Sequence, residues 1–137
     1  MSKRHVANLT EEQIALNKEW IKELRSGKHK QGKTALCRIN ADGDKLYCCL
    51  GIAVDLVLKI EGVKRVIGWL EFDGEESILS EEAQQRLGLI SPIGATYQRK
   101  LNEENRSLSA LNDSYNYTFG MIADAIEESL QYDSVEI

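Results

Sequence analysis

The residues best suited to binding a ligand lie in a short basic loop, residues 27–34 (GKHKQGKT). This segment matches the phosphate-loop pattern G-x-x-x-x-G-K-[ST], in which amides and a lysine hold phosphates and a hydroxyl holds Mg²⁺. Such a loop must follow a strand and open a helix, because the helix N-terminus supplies the field that attracts the anion. Here it follows a predicted helix and enters a strand-like segment. We therefore predict no NTPase site: the loop either binds an anion differently or is a solvated basic face.

Seven side chains make up the predicted ligand site: Arg25, Lys28, Gln31, Lys33, Tyr47, Asn112 and Asp113. The preceding helix ends near the loop, and its partial negative charge would repel a phosphate, so cationic side chains must supply the attraction. Arg25 is the best suited of these to a two-pronged grip on phosphate oxygens. Gln31 and Tyr47 would orient the ligand. Asn112 and Asp113 would contact a sugar or base; otherwise they form Asx-turns.

The three cysteines, Cys37, Cys48 and Cys49, and the nearby His29 are all of metal-ligand type. Structural zinc sites usually show paired C-x₂₋₄-C spacing, and adjacent strand residues point to opposite faces. We therefore predict no metal site and no cofactor, and interpret the cysteines as reduced, buried, small hydrophobic residues. The alternative is a Cys/His hydrolase in which amides opening the next helix lower the pKa of Cys49. No catalytic residue is assigned.

The elements that must position these residues predict an α+β fold, with three to four helices packed on a small, mainly antiparallel sheet. Thr10 and Gln13 form a capping-box pattern, and Gly27 suits the end of the first helix. Further helices are predicted near residues 52–58, after Ser80 and after Thr118, and strands at residues 34–39, 45–48 and 66–72.

Composition places the chain among ordinary globular proteins. Its 137 residues suffice for one domain, predicted over residues 1–137 with flexible ends at residues 1–7 and 133–137. The net charge of −5 argues against broad nucleic-acid binding. No apolar run resembles a signal peptide or a membrane span, so we predict a reduced cytoplasmic protein without membrane contact. Homo-oligomerisation is left open.

Several motifs together resemble a group of small proteins from phage and prophage genomes. They are W-x₃-L-R-S-G from Trp20, Y-C-C-L-G from Tyr47, L-G-L from Leu87, L-N-D from Leu111 and T-F-x₂-I-A-D from Thr118. The resemblance covers nearly the whole chain. It implies an accessory phage protein acting in the host cytoplasm, and small phage proteins of this kind often counter host defence, some by sequestering nucleotide immune signals.

The predicted function is therefore capture of a small phosphorylated ligand, such as a nucleotide signal. Two alternatives stay open. One is a hydrolase that uses a cysteine or a carboxylate on such a ligand. The other is an inhibitor that binds a host protein through the acidic block at residues 71–82.

Overall fold

The computed structural model describes residues 3–4, 9–89, 92–93, 107–132 and 135–136, which contain five α-helices and seven strands. In chain order these are β1 (Lys3–Arg4), α1 (Glu11–Arg25), β2 (Lys30–Gln31), β3 (Cys37–Ile39), β4 (Lys45–Tyr47), α2 (Cys49–Ile52), β5 (Val63–Val66), β6 (Trp69–Phe72), α3 (Glu81–Leu87), α4 (Leu108–Asp113), α5 (Phe119–Tyr132) and β7 (Val135–Glu136). The predicted α+β class is confirmed.

Five strands form the main sheet, in the order β2-β4-β3-β6-β5. Every neighbouring pair is antiparallel except β2 and β4, which run parallel. Cys37 lies opposite both Tyr47 and Leu70, and all three are buried. Since residues in register share a face, this row marks the side of the sheet that faces the core. β1 and β7 pair separately. Apart from this ladder, the ends predicted to be flexible lie outside the described residues.

α1 begins where its capping residues predict. The hydroxyl oxygen of Thr10 accepts a 3.1 Å hydrogen bond from the Gln13 amide, and the Thr10 amide donates to Gln13 Oε1 at 2.9 Å. These two bonds satisfy donors that an uncapped helix would leave unpaired. Near the middle of the helix, the buried Trp20 indole donates to the carbonyl oxygen of Cys49 at 2.9 Å. This bond fixes α1 against the start of α2.

α2 begins at Cys49, three residues earlier than predicted, and continues as a π-helical turn, Ala53–Val57. The helix passes very close to the chain before β3. A Cβ atom on Gly51 would lie 1.7 Å from the carbonyl oxygen of Leu36, well inside van der Waals contact. The glycine of the C-C-L-G motif is therefore required by packing. It allows the helix backbone to lie directly on the strand layer.

The prediction of one strand over residues 66–72 is wrong. The structure has a hairpin, in which Val63 pairs with Phe72 and Val66 with Trp69. Gly68 makes the turn with a φ of 86°, a left-handed conformation that glycine adopts at little cost. Similarly, the strand predicted at residues 34–39 is limited to Cys37–Ile39, because the chain before it turns through Thr34 at a φ of 69°.

The remaining helices complete the core. Ser80 caps α3 and Gly88 ends it with a φ of 71°, as the sequence predicts. The Asx-turn interpretation of Asn112 and Asp113 is wrong, because both belong to the last turn of α4. α5 follows Thr118 as predicted and packs along α1. No helix within the described ranges is long and apolar enough to cross a membrane.

Candidate functional site

The buried side chain of Asn112 joins three segments of the chain. Its Oδ1 atom accepts hydrogen bonds from Gln31 Nε2 at 2.8 Å and from the Cys49 amide at 3.2 Å. Its Nδ2 atom donates to the Gly32 carbonyl oxygen at 2.9 Å and to Asp113 Oδ1 at 2.8 Å. The structure thus brings Gln31, Asn112 and Asp113 together, three of the residues predicted to contact a ligand. Gln31 Nε2, both polar atoms of the Asn112 side chain and Asp113 Oδ1 are engaged within the protein, however, so this junction holds the fold together.

The end of the basic loop is tied to the same junction. The Thr34 amide donates to Asp113 Oδ1 at 3.0 Å, and the Lys33 ammonium donates to Asn116 Oδ1 at 2.5 Å. The Thr34 hydroxyl donates to the carbonyl oxygen of Lys33 and accepts from the Arg38 guanidinium. A β-branched residue at positive φ is strained, and these bonds hold it there. The loop follows α1 and opens no helix, so it lacks the geometry of a phosphate-binding loop.

Tyr47 faces the protein interior. It is 5% exposed, and its hydroxyl donates to Asp55 Oδ2 at 2.5 Å, on the π-helical turn. Burial, followed by the hydrogen bond to Asp55, raises the pKa of Tyr47. The His29 ring packs edge-on against Tyr47 at 5.9 Å between centroids, and His29 Nε2 lies 2.7 Å from Glu23 Oε1. Tyr47 therefore anchors the π-helical turn to β4.

The three cysteine thiols are buried and free of disulfides. Burial, aided by the negative charge of Asp55, raises the pKa of Cys37 to about 11, and burial raises the pKa of Cys48 to about 12. The pKa of the fully buried Cys49 is raised well above its ordinary value for the same reason. Desolvation thus outweighs any lowering from the amides that open α2. Thiols that stay protonated at neutral pH are poor nucleophiles.

Arg25 binds carboxylates of α5. One guanidinium nitrogen, Nη2, lies 2.7 Å from Asp124 Oδ1 and 3.0 Å from Glu127 Oε1. Nη1 donates to the second oxygen of Glu127 at 3.3 Å. The hydrogen bonds to Glu127 and Asp124 raise the pKa of Arg25, and that to Arg25 lowers the pKa of Glu127. A phosphate could make the predicted contact with Arg25 only in competition with the carboxylates of Asp124 and Glu127.

Between α1 and α5 lies a surface groove of about 600 Å³ that contains two of the predicted residues, Arg25 and Lys28. We call it the α1–α5 groove; it is lined by Lys18, Ile21, Lys22, Arg25, Ser26, Lys28 and Glu127. Four of these side chains are cationic and one is acidic. The groove therefore combines a local excess of positive charge with the buried side chain of Ile21 as an apolar contact.

The seven predicted site residues thus lie in three separate places. Arg25 and Lys28 line the groove, and Tyr47 is buried beside the π-helical turn. The hydrogen-bonded junction around Asn112 contains the other four, Gln31, Lys33, Asn112 and Asp113. Sequence reasoning missed Lys18 and gave Lys22 no specific role. The sequence does contain the pattern that identifies this basic face, because positions 18, 22 and 25 are spaced i, i+4 and i+7 and so lie on one face of a helix.

Within the described part of the chain, no three His, Cys, Asp or Glu side chains lie together in a way that could hold a metal ion. The protein belongs to the family described as Domain of unknown function (DUF8296), whose model matches residues 12–130. Comparison with curated proteins and with solved structures finds no match. The matched residues include nearly all of α1 and of α5, the two helices that form the groove.

Proposed function

We propose that this protein binds and sequesters a small phosphorylated ligand, such as a nucleotide, in the α1–α5 groove. The supporting observation is that four cationic side chains line one concave surface: Lys18, Lys22, Arg25 and Lys28. The volume of about 600 Å³ lies within the range of small-molecule sites. Since the net charge of the chain is −5, the local excess of positive charge in the groove opposes the overall charge of the protein.

The three lysines supply the attraction. Within the described residues, no ion pair or side-chain hydrogen bond engages the ammonium groups of Lys18, Lys22 and Lys28. Their aliphatic stems can contact an apolar part of the ligand while the charged ends reach its phosphate oxygens. Because the groove is open to solvent, each contact is screened, and we expect affinity to fall as salt is raised.

In this proposal Arg25 has a structural role, although the sequence predicts that it grips a phosphate. Its charge is offset by Asp124 and Glu127, so it holds α5 against α1 and shapes the groove. A ligand phosphate would meet Arg25 only by displacing these carboxylates. The lysines on either side therefore carry the first contact with the anion.

Sequestration is favoured over turnover because the thiols that a cysteine hydrolase would need are buried and protonated. They also lie in the core, whereas the groove is open at the surface between α1 and α5. In the phage setting that the motifs imply, the captured ligand would be a nucleotide signal of host defence. The protein would then act in the host cytoplasm and lower the free concentration of that signal.

The proposal is tested by isothermal titration calorimetry against a panel of linear and cyclic nucleotides at low salt. We expect Lys22→Ala and Lys28→Ala each to weaken binding by roughly tenfold, equivalent to about 1.4 kcal/mol. Lys64→Ala is the matched control, since Lys64 is an exposed lysine of β5 outside the groove. Absence of binding to every nucleotide, or binding that both groove variants retain in full, would exclude this site.

Mass spectrometry separates capture from catalysis. After incubation the protein is heat-denatured, and the released nucleotide is compared with the input. We expect the nucleotide to be recovered unchanged and in proportion to the protein present. Recovery of a smaller or dephosphorylated product in excess over the protein would identify an enzyme and replace the sequestration proposal.

A further inference from the structure

The arrangement of charge along the α1–α5 groove identifies a narrower ligand class. We infer that the ligand carries at least two separated phosphate groups, as a dinucleotide does, and that it lies along α1. This inference rests on the proposed function and adds to it the number and spacing of the anionic groups. It follows from where the cations lie and from where the acidic side chains interrupt them.

The cations extend over a considerable length of the helix. Lys18 and Arg25 are seven residues apart in α1, which at 1.5 Å per residue corresponds to roughly 10 Å along the axis. Lys28 lines the groove from outside the helix, after the C-cap at Ser26 and the left-handed Gly27, so it lies beyond the C-terminal end of α1 in the chain. A single phosphate is only a few ångströms across. It can therefore reach one end of this row of lysines but not both.

The middle of the groove has no excess positive charge. Arg25 contacts Glu127 through two nitrogens and Asp124 through one, so two carboxylates oppose its single positive charge. Glu127 itself lines the groove and would repel an anion placed beside it. The free positive charge is left at two ends, Lys18 and Lys22 at one and Lys28 at the other. A ligand with anionic groups at both ends and a neutral middle matches this pattern.

The salt dependence of binding reports how many charged contacts a ligand makes, because salt screens each contact. The probes are AMP, which has one phosphate, and the linear dinucleotide pApA, which has two. We expect log K to fall more steeply with log salt for pApA than for AMP, and pApA to bind at least tenfold more tightly at low salt.

Variants at the two ends show whether both are used at once. Lys28→Ala and the double variant Lys18→Ala/Lys22→Ala should each make the salt dependence of pApA binding less steep and bring its affinity close to that of AMP. Lys64→Ala should leave the pApA slope unchanged. Circular dichroism spectra of all variants confirm that the exposed substitutions leave the fold intact.

The possible outcomes distinguish this inference from the function on which it rests. Equal affinities and equal slopes for AMP and pApA would show a site for one phosphate, which retains the proposed function and overturns the two-phosphate inference. If substitutions at only one end of the groove change the salt dependence of pApA binding, the two-phosphate inference is overturned as well. Binding of neither probe, nor of any nucleotide in the panel, would overturn both.

Discussion

Gln31 Nε2 donates a 2.8 Å hydrogen bond to Oδ1 of Asn112, joining β2 to α4 across 81 residues of sequence. The same nitrogen donates to the carbonyl oxygen of Tyr117 at 2.7 Å, just before α5. A single glutamine amide thus connects the basic loop with both of the last two helices. This explains why these polar residues serve the fold even though their types suit a ligand.

Replacement of Asn112 by alanine should destabilise the protein strongly. Asn112 is fully buried, and its loss would leave Gln31 Nε2, the Cys49 amide and the Gly32 carbonyl oxygen without this partner. We expect Asn112→Ala to lower the free energy of unfolding by roughly 2–4 kcal/mol in urea denaturation. Ser114→Ala, at the exposed residue that follows α4, is the control and should change it little. Equal stabilities of the two variants would contradict the role of the junction.

Two glycine substitutions should have opposite effects. Gly51→Ala would place a methyl group 1.7 Å from the carbonyl oxygen of Leu36, so α2 must move away from β3. We expect a loss of more than about 4 kcal/mol, or failure to fold. Gly120→Ala should stabilise α5 by up to about 1 kcal/mol, since its nearest neighbour would be 3.9 Å away and alanine favours helix. Thermal unfolding measures both, and a stable Gly51→Ala protein would refute the packing requirement.

Stability should fall in alkaline solution because of the cysteines. The folded-state pKa values of Cys37 and Cys48 are raised to about 11 and about 12, so each thiol stays protonated in the native state. In the unfolded chain a thiol ionises near pH 8.5, and above that pH unfolding releases protons. The stabilising contribution is therefore complete below about pH 8.5 and is lost as pH rises towards 11–12.

Urea denaturation at pH 8 and pH 10.5 tests this dependence. Cys48→Ala should show a smaller loss of unfolding free energy between the two pH values than the parent protein does, since one such thiol is removed.

The related variant Cys49→Ala should lower the free energy of unfolding by about 1 kcal/mol or somewhat more at pH 8 through lost packing, while nucleotide binding by the folded protein stays unchanged. A native protein whose thiols react rapidly with iodoacetamide at pH 8 would disprove their burial.

ATP and GTP should not be hydrolysed at residues 27–34. Lys33 donates to Asn116 and the Thr34 hydroxyl donates to the Lys33 carbonyl oxygen, so neither side chain has the role that a phosphate-binding loop requires. A phosphate-release assay with magnesium should give the same background rate for the parent and Lys33→Ala. Hydrolysis that Lys33→Ala abolishes would show that the loop is an NTPase site.

The sequence predicts best what depends on neighbouring residues. The Thr10–Gln13 capping box, the Ser80 cap and the left-handed Gly88 are all confirmed, because each is a local backbone requirement. The hairpin at residues 63–72 is not predicted, because the apolar run from Val66 to Phe72 is typical of a single strand and hides the turn at Gly68.

The candidate site was harder to predict because it depends on distant partners. Arg25 is a reasonable phosphate contact until Asp124 and Glu127 are placed beside it by α5. Asn112 looks like a surface turn residue until the loop at residues 31–34 covers it. Spacing within α1 could have identified the basic face that includes Lys18, but only packing shows that this face borders a groove.

The α1–α5 groove has a consequence for the timing of biosynthesis. Its walls come from the first and last helices among the described residues, Glu11–Arg25 and Phe119–Tyr132, which are separated by most of the chain. Contacts so distant in sequence form late, because a long loop must close first. On the ribosome, α1 emerges long before α5 is translated. We therefore expect a nascent chain to form the α1–α5 groove only after α5 has been translated.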